Sequence, residues 1–320
     1  MQPRTDVLII LPPSENIDDQ YGRGLRERFP ELSIQWVEHH SQAGDHAADA
    51  RVILTFSPFM SRQVAQQAGR LEWIQILGSG LDGITDLPFQ GDVTITNGHG
   101  VQAIPVSEAA LGMMFALSRG YGRMVKNQAG KVWERWPSEL LDGRTICILG
   151  VGAIAEMLAL KCNALGMRVI GVSSAPRTVA GFERIFAKDQ LTEAVGEADF
   201  LVLLTPHTPA THHMVDAGVL KAMKPSAWLV NVARGGVVDE AALVEALQAD
   251  AIRGAALDVF ETQPLPATSP LWAMENVFIS PHMAGLNRDY PKHIIPLLEA
   301  NFRAFLAGDR GAMVNVWGGD

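Results

Sequence analysis

The stretch TICILGVGAIAEMLALKCNALGMRVIGVSS, residues 145–174, constrains the fold more than any other part of the chain. An apolar run typical of a buried strand ends at Gly150, a turn contains Gly152, and a helical pattern follows at once. These residues match the pattern G-x-G-x-x-G of dinucleotide-binding turns, with Ala155 at the position of the third glycine. An alanine is tolerated there because the position requires only close packing of the helix. Backbone N–H groups and the helix dipole then converge where a pyrophosphate binds. The stretch predicts a βαβ dinucleotide site with contacts from Gly150, Gly152, Ala153 and Ile154.

The residues after the second strand of this stretch predict which dinucleotide is bound. About 20 residues past the glycines, an acid usually holds the adenosine ribose hydroxyls of NAD. Here that position is Ser173, followed by Ser174 and then by Arg177. Hydroxyls and a guanidinium would hydrogen-bond and neutralise a 2′-phosphate, whereas a carboxylate would repel it. We therefore predict NADP as the preferred cofactor, with NAD possible if Arg177 is only a solvated loop residue.

Length and turn chemistry predict two domains. A chain of 320 residues exceeds the usual size of one core. The turn-rich stretches NGHGVQAIP (97–105) and SPHMAGLNRDYP (280–291) divide it in three, and the tail is too short to form a domain alone. We expect the tail to pack onto the first part. The predicted boundaries are 1–98 plus 287–320 for a substrate domain, and 99–286 for a dinucleotide-binding domain.

Both domains are predicted to be α/β folds on doubly wound parallel sheets, one of the Rossmann type and one flavodoxin-like. The first part contains four β-rich runs: DVLIIL, ELSIQWV, RVILTF and EWIQIL. The second part opens with one long helical pattern from Pro105 to Val125. Six strand candidates follow: TICIL, MRVIGV, DFLVLLT, AWLVNV, GAALDV and NVFIS. In the tail, Pro296 is expected to interrupt the helical periodicity.

Composition argues against several classes of function. The net charge of −9 and the lack of a basic run argue against nucleic acid as a partner. No window reaches the roughly 20 apolar residues that span a bilayer, and DVLIILPP is predicted to be a buried strand rather than a signal peptide. Cys147 and Cys162 lie in strand-like and helix-like segments, where buried thiols are favoured over a disulfide. We expect a cytoplasmic protein.

Three polar loops follow strand candidates beyond the Gly-rich turn. NVARGG places Arg234 just after a strand, and SPHMAG contains His282. Between them, LDVFETQP carries Asp258, Glu261 and Gln263. Open α/β sheets bind ligands outside the carboxyl ends of their strands, so these loops can meet at one edge of the sheet.

With these motifs in this order, the sequence resembles the D-isomer-specific 2-hydroxyacid dehydrogenase family, which includes glyoxylate and hydroxypyruvate reductases. The resemblance covers nearly the whole chain. It rests on the Gly-rich turn, NVARGG, LDVFE and the PH at 281, together with LLTPHTPATHHMVD (203–216) and VSEAALGMMFALSR (106–119). The order and spacing of the set are highly specific, although no single motif is.

The resemblance implies a role for each matching residue. Arg234 would pair with the carboxylate of a 2-oxo acid and polarise its carbonyl, which suits the planar fork of a guanidinium. His282 would protonate the carbonyl oxygen during reduction and act as the base in reverse. Asp258 matches a contact to the nicotinamide carboxamide. Further cofactor contacts are implied for His282, Thr205, Pro206, Val232 and Ala233, and substrate-carboxylate contacts for Ser79 and Gly80 of LGSGLDGI.

Taken singly, several of these residues have a plainer interpretation. Arg234 alone could form a surface ion pair, and His282 alone could cap a helix or lie in a turn. His207, His212 and His213 could suggest a metal cluster, but no Cys or acid with ligand spacing accompanies them. We therefore place these three histidines on a cofactor-side loop and predict no metal.

One position departs from the family pattern. The family places a Glu before the proline of DVFxxEP, where it hydrogen-bonds the catalytic His and raises its pKa by opposite charge. This chain has Gln263 there, with Glu261 two residues earlier. A neutral amide can orient an imidazole but does not stabilise its protonated form as a carboxylate would. Whether Glu261 swings in as the acidic partner is left open by the sequence.

These observations predict NADPH-preferring reduction of small 2-oxo acids such as glyoxylate and hydroxypyruvate, with Arg234, His282 and Gln263 as the catalytic group. One alternative is an NAD-linked dehydrogenase of a bulkier D-2-hydroxy acid. Another is a non-catalytic dinucleotide-sensing module. The resemblance also implies a homodimer, because the apolar helical region at 105–127 matches the two-fold interface of the family.

Overall fold

The computed structural model describes residues 5–12, 18–175 and 177–318, and the chain divides into two compact units. The first unit contains residues 1–102 and 287–320, and the second contains residues 103–286. Each unit has a parallel β-sheet with an apolar core on its faces. The predicted fold class, two doubly wound parallel-sheet α/β domains, is confirmed.

The described residues form strands and helices in regular alternation. The strands are β1 (Val7–Ile10), β2 (Ile34–Val37), β3 (Val52–Thr55), β4 (Trp73–Ile76), β5 (Thr94–Thr96), β6 (Thr145–Leu149), β7 (Arg168–Ser173), β8 (Arg184–Ala187), β9 (Phe200–Leu203), β10 (Trp228–Asn231), β11 (Gly254–Leu257) and β12 (Val277–Ile279). The α-helices are α1 (Arg23–Arg28), α2 (Gly44–Asp49), α3 (Arg62–Gln67), α4 (Ala103–Arg119), α5 (Tyr121–Ala129), α6 (Ala153–Ala164), α7 (Leu191–Glu197), α8 (Ala217–Ala222), α9 (Glu240–Gln248) and α10 (Tyr290–Leu306).

The first unit is built on a five-stranded parallel sheet with the order β2-β1-β3-β4-β5, which is the flavodoxin-like order. Strands β1, β3 and β4 are buried at every position, as expected for parallel strands covered on both faces. The edge strand β5 has no counterpart among the sequence predictions. It is three residues long and lacks an apolar run, so its sequence TIT gives only a weak strand signal.

Helix α10 completes the core of the first unit. Ile294, Leu298 and Phe302 are fully buried in the same cluster as Val7 and Trp73. The expected interruption at Pro296 is wrong, because α10 continues through it as one helix. A proline inside a helix costs about 3 kcal/mol, but burying each large apolar side chain returns about 1.5–3 kcal/mol.

Residues after α10 return to the first sheet. The side chain of Asn301 donates to Gln75 Oε1 (3.0 Å) and to the carbonyl of Val314 (3.1 Å), and it accepts from the N–H of Val314 (2.7 Å). Asn301 and Gln75 are fully buried. Further along, Val316 forms an antiparallel bridge with Thr96 of β5. This pairing gives the exposed edge of β5 a partner from the last part of the chain.

The second unit has a seven-stranded parallel sheet with the order β12-β11-β10-β9-β6-β7-β8. Counted from β6, this is the Rossmann order with one additional strand. Strand β8 was not predicted, because it lies at the edge of the sheet and its sequence RIFA is only partly buried. The predicted single helix at 105–125 is also wrong. Gly120 has a left-handed φ of 70°, which ends α4 and starts α5.

The structure bears on the expectation that the two cysteines are buried thiols. Cys147 and Cys162 are both buried free thiols. Burial raises the pKa of each thiol to about 12, so both stay protonated and unreactive at neutral pH.

Within the part of the chain that the structure describes, none of the helices is both long and apolar enough to cross a membrane.

Candidate active site

The carboxyl ends of five neighbouring strands in the second sheet form one row. Their last residues are paired across the sheet: Leu149, Leu203, Asn231, Leu257 and Ile279. Most of the predicted site residues follow this row within a few positions: Gly150, Thr205, Pro206, Val232, Ala233, Arg234, Asp258 and His282. The strand order reverses between β9 and β6, and such switch points are where open α/β sheets bind ligands.

The Gly-rich turn has the shape that a pyrophosphate requires. Gly150 has a φ of 98°, and an added Cβ there would lie 2.7 Å from the backbone nitrogen of Thr205, so only glycine fits. Gly152 is the N-cap of α6, and no atom lies within 4 Å of an added Cβ. Ala155 is fully buried against the sheet. The open space before Gly152 and the N–H groups at Ala153 and Ile154 therefore fit the diphosphate of a dinucleotide.

The end of β7 presents no acid. Ser173 is the last residue of β7, and the neighbouring Ser174 is exposed. Arg177 pairs with Glu156 in the first turn of α6, with 2.8 Å between Nη2 and Oε1. Both side chains are largely exposed, and exposed pairs contribute only about 0–1 kcal/mol. Arg177 is thus held beside the Gly-rich turn by a weak contact that a phosphate can replace.

The Arg234 loop is fixed by a buried amide and a tight glycine. The side chain of Asn231 donates to the carbonyl of Arg234 (3.1 Å) and accepts from the N–H of Ala233 (3.1 Å). An added Cβ on Gly235 would lie 1.9 Å from the carbonyl carbon of Phe260. The absence of a side chain at Gly235 therefore lets the Arg234 loop pack directly on the backbone that leads to Gln263.

Asp258 holds the loop that presents His282. The residue is 1% exposed, and its carboxylate accepts hydrogen bonds from the hydroxyl of Ser280 and from the N–H groups of Met283 and Ala284, the latter two at 2.9 Å. The N–H of His282 donates to the carbonyl of Asp258 (2.8 Å). These contacts fix His282 at a φ of 53°, a conformation that residues with a Cβ adopt only under constraint. Both carboxylate oxygens of Asp258 thus anchor this loop.

His282 and Gln263 are in direct contact. His282 Nδ1 lies 2.8 Å from Gln263 Oε1, while Gln263 Nε2 donates to the carbonyl of Phe260 (3.2 Å). The Phe260 contact directs the amide oxygen toward the imidazole, so Nδ1 carries a proton and donates it. With Nδ1 donating to Gln263, Nε2 is the ring nitrogen that can take part in acid-base chemistry.

Glu261 points to a different histidine. Its Oε1 atom lies 2.7 Å from His213 Nε2 and accepts from the N–H of Glu240 (3.2 Å). On the same loop, His207 Nε2 lies 3.1 Å from His212 Nδ1, and the rings of His212 and His213 stack at 3.8 Å. Over residues 5–12, 18–175 and 177–318, no group of three or more His, Cys, Asp or Glu side chains is placed to hold a metal ion.

In the first unit, two side chains hold the carbonyls of the predicted carboxylate-binding loop. Ser57 Oγ donates to the carbonyl of Gly80 (2.7 Å), and Asn97 Nδ2 donates to the carbonyl of Ser79 (3.1 Å). An added Cβ on Gly98 would lie 2.2 Å from the carbonyl oxygen of Leu77, so this close approach requires glycine. The peptide planes at Ser79 and Gly80 are therefore held by fixed partners.

Sequence reasoning missed the residues that orient the site. Asn231, Ser280 and Asn97 were not singled out, although each is a polar residue at or just beyond the carboxyl end of a strand. A polar side chain at such a position is a usable signal, because it can bond only to the loop that follows or to a neighbouring loop. Their partners, however, are not evident from the sequence.

Three relatives resemble this chain over most of its length. The D-3-phosphoglycerate dehydrogenase of Methanocaldococcus jannaschii is 32% identical over 254 residues, and the match spans 78% of this chain but about half (48%) of that longer protein. The glyoxylate reductase of Korarchaeum cryptofilum is 32% identical, covering 82% of this chain and 80% of its own. The glyoxylate/hydroxypyruvate reductase A of Serratia proteamaculans is 27% identical, covering 92% and 94%.

Two solved structures share the fold over nearly the whole chain. A D-isomer-specific 2-hydroxyacid dehydrogenase family protein from Aeromonas salmonicida superposes with a TM-score of 0.88 at 30% identity, covering 99% of this chain and 100% of its own. A D-isomer-specific 2-hydroxyacid dehydrogenase from Xanthobacter autotrophicus, solved with NADPH and MES, gives a TM-score of 0.81 at 27% identity, covering 98% of both chains.

The second unit also matches a family model. Residues 111–284, more than half of the chain, match the NAD binding domain of the D-isomer specific 2-hydroxyacid dehydrogenases. This match includes the Gly-rich turn, Arg234, Asp258 and His282. The resemblance inferred from the sequence is confirmed, and the chain belongs to the D-isomer-specific 2-hydroxyacid dehydrogenase family of NAD(P)-dependent oxidoreductases.

Proposed function

We propose that this protein reduces small 2-oxo acids to 2-hydroxy acids with a preference for NADPH, and that glyoxylate and hydroxypyruvate are its leading substrates. The observation that carries the proposal is the His282–Gln263 contact of 2.8 Å at the sheet edge that also bears Arg234 and the Gly-rich turn. The names of the Korarchaeum and Serratia relatives support the choice of substrates.

The cofactor would supply the hydride, and residues of the second unit would hold it. Gly150, Gly152, Ala153 and Ile154 would bind the diphosphate through backbone N–H groups. Thr205, Pro206, Val232, Ala233 and Asp258 would line the nicotinamide side. Ser173, Ser174 and Arg177 would bind a 2′-phosphate, which replaces Glu156 as the partner of Arg177. The Xanthobacter relative, solved with NADPH, supports this preference.

Arg234 and His282 would act on the substrate in complementary ways. The guanidinium of Arg234 binds the substrate carboxylate and polarises the neighbouring carbonyl. For Ser79 and Gly80 of the first unit, a contact to a carboxylate stays a prediction. His282 donates a proton from Nε2 to the carbonyl oxygen, while Gln263 keeps the proton of Nδ1 in place. Asp258 fixes the loop from which His282 acts.

The apolar surface around α5 supports the proposed homodimer. Val125 on α5 is 67% exposed, and Trp133 in the segment after it is 95% exposed. Large apolar side chains that are this exposed favour a surface that a partner covers. We expect the protein to sediment as a dimer and Val125→Asp to shift it to monomer; a wild-type monomer at micromolar concentration would contradict this expectation.

One experiment separates the proposed activity from its alternatives. Oxidation of NADPH and of NADH is followed with a panel of 2-oxo acids of increasing side-chain size. Fastest turnover of glyoxylate or hydroxypyruvate with NADPH is the expected result. Fastest turnover of a bulky 2-oxo acid with NADH identifies the NAD-linked dehydrogenase instead. Tight binding of a dinucleotide with no turnover of any acid identifies the sensing module.

A further inference from the structure

Glu261 is joined to helix α9 by a reciprocal pair of hydrogen bonds. Its N–H donates to Glu240 Oε2 (3.0 Å), and its Oε1 accepts from the N–H of Glu240 (3.2 Å). Glu240 is the first residue of α9, so the carboxylate of Glu261 also faces the positive end of that helix. Both the backbone and the side chain of Glu261 are therefore tied to the same residue.

His213 contacts the same oxygen of Glu261. The distance from His213 Nε2 to Glu261 Oε1 is 2.7 Å. The backbone of His213 has a φ of 48°, and its N–H donates to the carbonyl of Gly236 (2.9 Å). A residue with a Cβ keeps a left-handed conformation only where its surroundings fix it. His213 is thus aimed at Glu261 by the loop after Arg234.

These contacts fix the turn that carries Gln263. We call His213, Glu240 and Glu261 the glutamate clasp. Phe260, next to Glu261, packs on Gly235 and accepts from the side chain of Gln263 (3.2 Å). One residue separates Glu261 from Gln263, and Gln263 in turn contacts His282. The clasp therefore determines where the amide that orients the imidazole stands.

We propose that Glu261 is a positioning residue that acts on His282 through Gln263, and that it is not the acidic partner of His282. A swing of the carboxylate toward His282 would break the bonds to His213 and to the N–H of Glu240 at once. The clasp thus keeps Glu261 engaged while Gln263 remains the neighbour of the imidazole. This inference relies on the proposed function for its kinetic measurements only.

The first test measures the ionisation of His282 without turnover. The imidazole C–H signals are titrated by NMR in the unsubstituted protein and in Glu261→Gln, with the His282 signal assigned by its loss in His282→Gln. Gln at 261 still accepts both hydrogen bonds, so we expect the midpoint of His282 to stay where it is. Loss of a neighbouring acidic partner would instead lower it by about 1 unit or more, and that result overturns the proposal. A protein that reduces no 2-oxo acid still gives this measurement.

The second test breaks the clasp and measures kcat and KM for glyoxylate, with NADPH affinity from fluorescence titration. Glu261→Ala and His213→Ala should each lower kcat about tenfold or more, since a shift of about 1 Å in a catalytic group can cost about 100-fold. The kcat of the double variant should be no lower than that of Glu261→Ala, because both single changes remove the contact between His213 and Glu261. Glu261→Gln should retain near-normal kcat, and NADPH affinity should stay unchanged.

The matched control is Glu245→Ala, which removes an exposed carboxylate from the same helix α9. We expect it to leave kcat and the melting temperature unchanged. Unaltered kcat in Glu261→Ala, or additive losses in the double variant, would show that the clasp does not position Gln263. If the unsubstituted protein lacks turnover, the proposed function fails, and the NMR titration alone decides the role of Glu261.

Discussion

The amide oxygen of Gln263 lies 2.8 Å from Nδ1 of His282, and the nitrogen of the same amide is held by the carbonyl of Phe260. The amide therefore presents an uncharged acceptor that selects the tautomer with a proton on Nδ1. A carboxylate at this position would do the same and would also stabilise the imidazolium. In this chain Gln263 thus orients the imidazole without placing a negative charge beside it.

The first prediction concerns Gln263→Glu. In the proposed reaction reduction uses protonated His282, and an adjacent carboxylate raises the pKa of an imidazole by about 1 to 3 units. The protonated form then persists to higher pH, so the descending limb of kcat/KM for glyoxylate should move upward by that amount. Gln248→Glu, an exposed change of equal charge on α9, should leave the pH profile in place. Superimposed profiles for the Gln263→Glu and unsubstituted proteins would contradict our account of the charge at this site.

The second prediction concerns the reading of the 2′-phosphate by Arg177. A hydrogen bond to a charged group contributes about 1.5–3 kcal/mol, so Arg177→Ala should weaken NADPH binding about 10- to 100-fold and leave NADH binding unchanged. Glu156→Gln releases Arg177 from its exposed partner and should tighten NADPH binding by at most about fivefold. Equal losses for both cofactors in Arg177→Ala would show that Arg177 does not contact the phosphate.

The third prediction tests the fork of Arg234. Arg234→Lys keeps the positive charge but removes bidentate bonding to a carboxylate. We expect kcat/KM for glyoxylate to fall about 10- to 100-fold with the dissociation constant of NADPH intact. The control is Arg253→Lys, which should retain activity. Arg253 lies just before β11, at the amino ends of the strands, whereas Arg234 follows a carboxyl end. Near-normal kcat/KM in Arg234→Lys would remove Arg234 from the substrate site.

The fourth prediction tests whether Asp258 mainly anchors the loop of His282 or mainly contacts the cofactor. In Asp258→Asn, an amide N–H would face the N–H of Met283 or Ala284, and a buried donor without an acceptor costs about 1–3 kcal/mol. The melting temperature and kcat should both fall, because the His282 loop loses its anchor. Titration with NADPH should show a much smaller change. If instead NADPH binding is lost while kcat and melting temperature stay normal, Asp258 acts mainly as a cofactor contact.

The fifth prediction concerns the buried Asn301. Asn301→Leu removes the acceptor of the Val314 N–H and one of the two donors to Gln75 Oε1, which keeps its hydrogen bond from the hydroxyl of Thr96. The free energy of unfolding should fall by about 1–3 kcal/mol in urea titrations. Gln67→Leu, an exposed change on α3, should alter it by less than about 0.5 kcal/mol. A fall in Asn301→Leu no larger than in that control would mean that the network contributes nothing.

The central strands were predictable from the sequence, as were the edge strands β2 and β12, but the edge strands β5 and β8 were missed. Strands such as β3 and β9 are buried on both faces, so their apolar runs stand out against polar flanks. Strands β5 and β8 lie at sheet edges, where one side needs no apolar residues. The break at Gly120 was also missed, because a glycine within a periodic apolar pattern does not reveal its φ.

In the site, the sequence predicted the residues with distinctive chemistry and missed their supports. Arg234 and His282 stand out because each follows an apolar strand and matches a motif. The role of Asn231 depends on a turn three residues later, and that of Ser280 on a carboxylate in another loop. Likewise, the sequence left open whether Glu261 approaches His282, and only the contacts of Gln263 with His282 and of Glu261 with His213 distinguish the two side chains.

The return of α10 to the first sheet has a consequence for synthesis on the ribosome. The core that contains Val7 and Trp73 also contains Phe302, which is translated only after the whole second unit. A growing chain can therefore complete the second unit while the first still exposes the apolar surface that α10 will cover. The edge of β5 likewise stays unpaired until Val316 has been translated. The first unit to be translated is the last to become fully folded, and chaperones that bind apolar segments have their longest access to it.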